Sequence, residues 1–520
     1  MTRRLVLVVW WWLGLVVLGS PAVADERPRL DFAGCTEVLD GPVCLLDEAR
    51  RVRLFVTHSI DATIGIEPDP GVHLEPVMGG SRVEIEVPDG VMRIRVDVLD
   101  DAGRHRLALS VRPTPSKPSW LAHASALRRA GHVESARQIA EGWTTRGSLS
   151  ARGRAYGLLA YYQDRAGEVA EAVASRLAAI DALQRAGRIG RASLQRAQLH
   201  ASMLQARRFA AAEALEVNWP IATGDAISIF DRLYSRGRRH QELGSPRRAL
   251  AELLSARTLA HRIGLTTRLF AAEDARAALL VTSGRHAEAQ AVSICLAASH
   301  GAALHPCAAA RLLNNVAWSR LLERDADPRD PWRPRTLDTL CPDVTPPDDT
   351  TELDLLLAGV PRPMLERALQ RFEAECPRDI DAPINVRMNL AFADLQAGLS
   401  DRASASLDAL RDQPSAHAEV VLWDVVLRAR LALLDGRPHD ALTVSGELDR
   451  AARKDAWPEG RWRAAVLRAR ALDALGRFDK AIDEHDAAEA LLDSELMRLP
   501  RHDGRIDLPH LRRRAVGHHL

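Results

Sequence analysis

The chain has 520 residues, which is too long for one hydrophobic core and predicts several domains or a repeat array. Hydrophobic residues make up 47% of the chain and aromatic residues only 4%, so most apolar side chains are aliphatic, and the many Ala and Leu residues favour helices. Lys and Arg number 70 and Asp and Glu 69, which gives a net charge of +1. This balance creates no overall field to attract nucleic acid or an anionic membrane, so neither is an expected partner.

The N-terminus has the layout of a secretory signal peptide. Arg3 and Arg4 precede an apolar run over residues 5–18, and Ala22-Val23-Ala24 forms a small-residue cleavage site. The run is shorter than the about 20 residues of a membrane span, so an uncleaved anchor is the less favoured alternative. The two arginines leave both Sec and twin-arginine export open. We expect residues 1–24 to be removed, leaving no membrane span in a chain exported to a bacterial periplasm or cell envelope.

The six cysteines fall into three pairs that are close in sequence. These pairs are Cys35 with Cys44, Cys295 with Cys307, and Cys341 with Cys376. An even number of cysteines in an exported chain favours disulfides, and pairing of sequence neighbours predicts these three bridges. Zinc binding is disfavoured because no pair has C-x-x-C spacing, and six free buried thiols are the remaining alternative. Asp40-Gly41 is a turn signal that would place the first pair opposite each other on a hairpin.

Between residues 51 and 113 the hydrophobic pattern is mostly period two. The alternation is clearest over residues 82–87 and 92–98, and turns rich in Gly and Asp separate these segments. Short alternating strands at this spacing predict a small antiparallel sandwich over residues 25–113, most simply a structural or docking module. The proline-rich residues 114–118 then form a stiff linker.

From residue 119 the pattern becomes helical, and a motif of three small residues returns at near-constant intervals. It consists of Ala or Gly, a Gly seven positions later and an Ala five positions after that. Its seven full copies are Ala124, Gly131, Ala136; Ala160, Gly167, Ala172; Gly237, Gly244, Ala249; Ala277, Gly284, Ala289; Ala391, Gly398, Ala403; Ala429, Gly436, Ala441; and Ala469, Gly476, Ala481. A degenerate copy is His200, Arg207, Ala212. Small residues let two helices cross closely, and the Gly between them ends the first helix in a left-handed conformation.

This spacing resembles the tetratricopeptide repeat (TPR) family, in which helical hairpins carry small residues and a turn Gly at these intervals. The period here is 36 to 40 residues, longer than the family's usual about 34, which implies longer helices or loops. The resemblance covers roughly residues 119–493. It implies a mainly α fold, a TPR-like α-solenoid of helical hairpins over residues 119–496, preceded by the β-sandwich domain and followed by a basic tail at residues 497–520.

One repeat is interrupted. Gly284 and Gly398 are separated by three periods of about 38 residues, and a first helix over residues 311–318 has its partner over residues 363–376. The stretch between, residues 325–361, is rich in Pro and Asp and has no helical period. We therefore predict a loop insertion there. Its acidic residues lack calcium-loop spacing, so a solvated loop is favoured over an ion site.

The sequence contains no phosphate-binding loop, zinc-protease motif or nucleophile elbow, so we expect no catalytic residues, metal or cofactor. The family resemblance implies instead that a partner chain binds on the concave face, at positions 13, 10, 6 and 3 before each turn Gly. In the last three repeats these positions are Asn385, Met388, Phe392, Leu395; Trp423, Val426, Arg430, Leu433; and Arg463, Val466, Arg470, Asp473. Arg430 and Arg470 occupy equivalent positions and are candidates to clamp a carboxylate or acidic peptide, whereas ordinary solvated arginines are the alternative.

Two further segments resemble large bacterial CHAT-domain proteins. Residues 489–493 with 499–505 are similar to the hinge after their repeats, and residues 35–56 are similar to their cysteine-containing β-module. Those proteins continue into a caspase-like peptidase domain, which we do not expect in this chain because the sequence ends at Leu520. The expected function is an extracytoplasmic protein–protein interaction scaffold that binds a protein or peptide. The alternative is the non-catalytic sensor arm of a split or truncated CHAT peptidase.

Overall fold

The computed structural model describes residues 30–498 with gaps at 34, 39–40, 46–50, 58–62, 68–70, 78–79, 89–90, 92, 101–102, 113–118, 131, 206–207, 220–225, 244, 302–303, 327–335, 343, 345–350, 377–380, 412–417 and 455–457. The predicted signal peptide, the linker and most of the basic tail lie outside these residues. The chain divides into two compact units, one built on the strands and one on nearly all of the helical residues.

The first unit contains two β-sheets. Its strands are β1 (Leu30–Ala33), β2 (Cys35–Val38), β3 (Gly41–Leu45), β4 (Arg51–Thr57), β5 (Thr63–Glu67), β6 (Gly71–Val77), β7 (Gly80–Glu86), β8 (Arg93–Asp100) and β9 (Gly103–Arg112). One sheet has the order β1-β4-β7-β6 and the other the order β2-β3-β9-β8-β5. Alternate residues of both sheets form a single core, which includes Leu54, Ile85, Val96 and Leu109. The period-two pattern therefore marks the inner faces of a β-sandwich, as predicted.

The strand pairing differs from the prediction at one place. Strands β3 and β9 pair in parallel, with Val43 opposite Ser110, whereas the other ladders are antiparallel. Local alternation predicts which residues face inward, but it carries no information about the direction of a partner strand from the far end of the domain. The hairpin β2–β3 has the expected register, because Cys35 pairs with Cys44 along the backbone. A disulfide between them stays a prediction, because their side chains lie outside the described part of the structure.

The second unit is an array of helices. They are α1 (Ser119–Arg129), α2 (Val133–Trp143), α3 (Leu149–Arg165), α4 (Val169–Arg185), α5 (Ile189–Gln205), α6 (Phe209–Val217), α7 (Ala226–Glu242), α8 (Pro246–Ile263), α9 (Thr266–Thr282), α10 (His286–His300), α11 (Pro306–Ala326), α12 (Leu337–Leu340), α13 (Thr351–Ala358), α14 (Pro361–Glu375), α15 (Asp381–Gln396), α16 (Ser400–Arg411), α17 (Ala418–Leu434), α18 (Pro438–Lys454), α19 (Pro458–Ala474) and α20 (Phe478–Arg498). We call α1, α3, α5, α7, α9, α11, α15, α17 and α19 the first helices of successive hairpins. The chain is thus a mainly α repeat protein with a solenoid-like array, which confirms the predicted fold class.

The small residues of the motif lie at the helix crossings. Every alanine of the seven full copies is at most 5% exposed: Ala124, Ala136, Ala160, Ala172, Ala249, Ala277, Ala289, Ala391, Ala403, Ala429, Ala441, Ala469 and Ala481. A Cβ atom added at Gly237 would lie 2.9 Å from Cγ of Leu253 on the partner helix, so a larger residue does not fit there. The turn glycines Gly167, Gly284, Gly398, Gly436 and Gly476 have φ angles between 68° and 77°. Gly131, Arg207 and Gly244 lie outside the described residues.

The predicted loop insertion contains two helices, so its description as a stretch without helices is wrong. Helices α12 and α13 pack against α10 and α11, and Leu353 and Leu356 of α13 are buried in the largest core of the array. Helix α14 also begins earlier than predicted, at Pro361, because Pro is well suited to the first turn of a helix. These short helices were missed because tertiary packing rather than a repeated pattern stabilises them.

The disulfide connectivity also differs from the prediction. Cys295 is bonded to Cys341 and Cys307 to Cys376, with Cα–Cα distances of 5.6 and 5.7 Å, so the expected bridges between sequence neighbours are not formed. The first bond joins α10 to the residue after α12, because α12 packs onto α10. The second joins the start of α11 to the residue after α14 and closes the base of the interrupted hairpin. The two bonds therefore fasten the insertion to the array.

No helix in the described part of the chain is both long enough and apolar enough to cross a membrane.

Candidate functional site

The first helices converge on one side of the array. In the described residues, the successive first-helix pairs α9 and α11, α11 and α15, α15 and α17, and α17 and α19 are in more extensive contact than the second helices α14, α16, α18 and α20 are with one another. A stack of hairpins curves toward the side on which its helices are closer together. The first-helix face is therefore the inner side of this stretch.

The register used for the last three repeats also identifies inner-face positions in the middle repeats, which the sequence reasoning passed over. Counting back from Gly244, Gly284 and residue 324 gives Asp231, Tyr234, Arg238, Gln241; Ala271, Asp274, Ala278, Val281; and Arg311, Asn314, Trp318, Leu321. This middle region carries more polar side chains than the last three repeats.

Two of these side chains, Asp274 and Asn314, form a continuous hydrogen-bonded row with two neighbouring asparagines, Asn315 and Asn389. We call this row the amide ladder. Asn315 donates from Nδ2 to Oδ1 of Asp274 at 2.5 Å, and Asn314 donates to Oδ1 of Asn315 at 3.4 Å. Asn389 donates from Nδ2 to Oδ1 of Asn314 at 2.9 Å. The ladder crosses from α9 through α11 to α15, so three successive first helices contribute to it.

One end of the ladder has an unused acceptor. Asn389 is only 3% exposed, and its Oδ1 has no hydrogen-bond partner among the described residues. A buried acceptor without a partner costs about 1–3 kcal/mol. The described residues contain further atoms of this kind, among them Oε1 of Gln290 and Oε1 of Gln396. Asn314 and Asn315 are half-buried and present further amide groups on the same face.

Charged groups lie beside the other end. Burial raises the pKa of Asp274, and the nearby cations Arg311 and Arg238 and the hydrogen bond from Asn315 only partly oppose this rise. Burial also raises the pKa of Tyr234, which lies close to the same three charged groups. The arrangement therefore combines two guanidinium groups, one carboxyl and a row of amides. Such groups can bind the backbone amides and a carboxylate of a peptide.

The predicted groove residues of the last three repeats come together, but several of them are inaccessible. Met388 is 6% exposed, Phe392 0% and Trp423 4%, so these side chains pack between neighbouring first helices instead of lining an open groove. Trp318 joins them, with its ring centroid 5.0 Å from that of Trp423 and 5.8 Å from that of Phe392. Large rings at inner-face positions are buried because the first helices converge there.

Two arginines among the predicted groove residues, Arg430 and Arg463, contact aromatic rings. Cζ of Arg430 lies 5.0 Å from the ring centroid of Phe392. Arg463 is 5% exposed, and its Cζ lies 4.2 Å from the ring centroid of Trp423 and 4.5 Å from that of Trp462. These guanidinium groups therefore make cation–π contacts within the array. Other groove positions remain partly accessible: Asp473 is exposed, and the half-buried ones are Asn385, Leu395, Leu433 and Arg470.

A buried ionic network joins α5, α6 and α7. Nε2 of His200 donates to Oε1 of Glu216 at 2.7 Å, and Arg239 donates two hydrogen bonds to the same carboxylate at 2.8 and 3.0 Å. All three side chains are buried. Burial by itself would raise the pKa of Glu216, but the hydrogen bonds from His200 and Arg239 outweigh it and hold this pKa below its usual value. The network is fully paired, which favours a structural role.

No cluster of His, Cys, Asp and Glu able to hold a metal ion occurs among the residues that the structure describes.

No protein-family model and no curated protein sequence matches this chain. Solved structures with similar backbones include the apo form of the quorum sensor NprR from B. thuringiensis, with 11% identity and a TM-score of 0.41, where the match covers 72% of this chain and 96% of that chain. A monomeric mutant of IFIT1 with Gppp-AAAA has 12% identity and a TM-score of 0.29, covering 72% and 90%. A circular tandem repeat protein has 15% identity and a TM-score of 0.12, covering 76% and 86%. These low scores assign no function to this chain.

Proposed function

We propose that this chain is an exported, TPR-like scaffold that binds an extended peptide segment of a partner protein on its first-helix face, at the amide ladder. The observation that carries the proposal is the row of side-chain amides across three first helices, of which Asn314 and Asn315 are partly accessible. An amide side chain both donates and accepts, so it can satisfy the N–H and C=O groups of an extended backbone. Peptide binding on this face is also compatible with the alternative function, the non-catalytic sensor arm of a split peptidase.

The charges beside the ladder support a peptide with an acidic residue or a free C-terminus. Arg238 and Arg311 lie near Asp274, where both act to lower its pKa against the larger effect of burial. Guanidinium groups can form charge-assisted hydrogen bonds with a ligand carboxylate, and these are stronger than neutral ones. The Cys295–Cys341 and Cys307–Cys376 bonds support export, because disulfides persist mainly in oxidising compartments.

A peptide library displayed on phage and selected on the mature chain tests this proposal. We expect the enriched peptides to bind the parent and to bind the variant with Arg311→Ala and Asn314→Ala about tenfold or more weakly, since each lost contact to a charged group costs about 1.5–3 kcal/mol. Arg402→Ala with Gln370→Ala on the exposed surface of second helices is the matched control and should not change affinity. Equal affinity of the parent and the Arg311 and Asn314 double variant, measured by fluorescence anisotropy, would show that peptides bind elsewhere.

A further inference from the structure

A separate cavity lies between helices α8, α9 and α10. It has a volume of about 620 Å³ and is bounded by α8, α9, α10 and Leu340 at the end of α12. This volume is typical of sites that hold small organic molecules. The cavity belongs neither to the first-helix face nor to the amide ladder, so its occupation is independent of the function proposed above.

Most of the cavity wall is apolar. Leucines from three helices contribute to it: Leu250 and Leu254 from α8, Leu269 and Leu280 from α9, and Leu296 from α10. Such a lining favours a ligand with a hydrocarbon body, since burying apolar surface contributes roughly 25 cal/mol per Å².

The charged side chains of the wall are unequal in number. Three arginines and two glutamates line the cavity, which leaves one positive charge in excess. Glu273 accepts from Nε of Arg257 at 2.5 Å and pairs with Nε of Arg276 at 3.0 Å, so two cations share one carboxylate. The third arginine is already neutralised, because Arg285 donates to Glu288 at 2.6 Å. The excess charge therefore lies at the pair of arginines around Glu273.

These two arginines are placed to receive an anion. The side chains of Glu273 and Arg276 are 8% and 20% exposed and that of Arg257 is 42% exposed, so the cluster reaches from the buried wall of the cavity to the solvent. Burial lowers the pKa of Arg276, and the nearby Arg257 adds to this effect against the opposing influence of Glu273. A second anion beside Arg276 and Arg257 would complete the neutralisation of two partly desolvated cations.

We infer that this cavity, which we call the second-helix pocket, binds a small amphiphile with one acidic head group and a hydrocarbon body, such as a medium-chain carboxylate. The head group lies against Arg257 and Arg276, and the hydrocarbon body contacts the leucines of α8, α9 and α10. Leu340 is held at the pocket by the Cys295–Cys341 bond, and Cys295 itself forms part of the wall.

Isothermal titration of the mature, disulfide-bonded chain with sodium decanoate tests this inference. We expect one molecule of decanoate to bind per chain and decyltrimethylammonium, which has the same hydrocarbon chain and the opposite charge, not to bind measurably. Absence of decanoate binding, or equal binding of the two probes, overturns the inference.

Substitutions at Leu254 locate the site. This residue lines the pocket and is 37% exposed, so polar replacements are tolerated there. Leu254→Glu should weaken decanoate binding about tenfold or more because it adds an anion beside the head group, whereas Leu254→Lys should not weaken it. Ala291→Trp should abolish binding by filling the cavity, and Ala287→Trp, an exposed position one turn away on α10 outside the pocket, should leave it unchanged. If decanoate binds Leu254→Glu and Leu254→Lys equally well, the pocket assignment is wrong.

Discussion

Asn389 donates a hydrogen bond of 2.9 Å to Asn314, although 75 residues separate the two along the chain. The bond joins α15 to α11, and the residues between them include the whole insertion and the partner helix α14. The amide ladder is therefore completed only when the interrupted hairpin has closed and the next hairpin has packed onto it.

This hydrogen bond should contribute measurably to stability. Asn389→Ala leaves the half-buried Oδ1 of Asn314 without its donor and should lower the free energy of unfolding by about 1–3 kcal/mol. A double-mutant cycle with Asn314→Ala, measured by urea denaturation, should give a coupling energy of about 0.5–1.5 kcal/mol. Strict additivity of the two single variants would show that the two side chains do not interact in solution.

The Glu216 network should make stability depend on pH in the acidic range. The pKa of Glu216 is lowered in the folded state, so its contribution is complete above the unfolded value of about 4.3 and is lost as the pH falls through the lower folded value. Glu216→Gln should remove this part of the pH dependence. At pH 7 it should also cost about 3–5 kcal/mol, because the buried Arg239 loses its anion. Urea denaturation between pH 7 and pH 3 measures both effects.

Glu213 provides a matched control for this experiment. Its carboxylate lies 3.6 Å from Nη1 of Arg239, but its side chain is 60% exposed. Glu213→Gln should therefore change stability by less than about 1 kcal/mol at any pH. Equal effects of Glu213→Gln and Glu216→Gln would contradict the view that burial makes Glu216 important.

The disulfide connectivity can be checked directly. Peptide mapping under non-reducing conditions should recover Cys295 linked to Cys341 and Cys307 linked to Cys376. The bonds close segments of 46 and 69 residues, so each should contribute about 4 kcal/mol by restricting the unfolded chain. Replacing both Cys307 and Cys376 by Ser should remove about that amount. Peptides linking Cys295 to Cys307 would show that the array packs differently around its insertion.

Arg463 should be a stabilising residue. It is 5% exposed and lies between the rings of Trp423 and Trp462, where a desolvated cation–π contact is worth about 2 kcal/mol. Arg463→Ala should therefore lower the free energy of unfolding by at least that amount. Arg185→Ala is the control. Arg185 lies at the end of α4 and forms an exposed ion pair with Asp181, so its replacement should cost less than about 1 kcal/mol. Similar losses for the two variants would mean that Arg463 is solvated.

The helical array could be predicted from the sequence because its signal is local. The small residues and turn glycines act within one hairpin, and their spacing follows from how closely two helices can pack. Burial of Ala391 and Ala403 and the left-handed conformation of Gly398 between them are examples. The period-two strands were predictable for the same reason, since alternation depends only on which side of a sheet each residue faces.

The features that escaped prediction depend on residues distant in the sequence. Cys295 pairs with Cys341 instead of Cys307 because α12 packs back onto α10, and nothing in the local sequence indicates this. The inner-face register placed Phe392 and Trp423 at the right helix positions, but whether such positions are open or filled depends on how closely the neighbouring first helices approach. Applying the same register to the middle repeats would have identified polar inner-face residues such as Asp274 and Asn314 from the sequence.

The covalent closure of the interrupted hairpin also determines how the array would respond to mechanical tension. The Cys307–Cys376 bond transmits a pulling force directly from the start of α11 to the residue after α14. The 69-residue segment between the two cysteines then carries none of this force. A segment of that length spans roughly 230 Å when fully extended. Reduction of this bond alone leaves Cys295–Cys341 holding part of the segment, so the full length is released only when both disulfides are reduced. The redox state of the surroundings therefore determines how far the chain can be stretched.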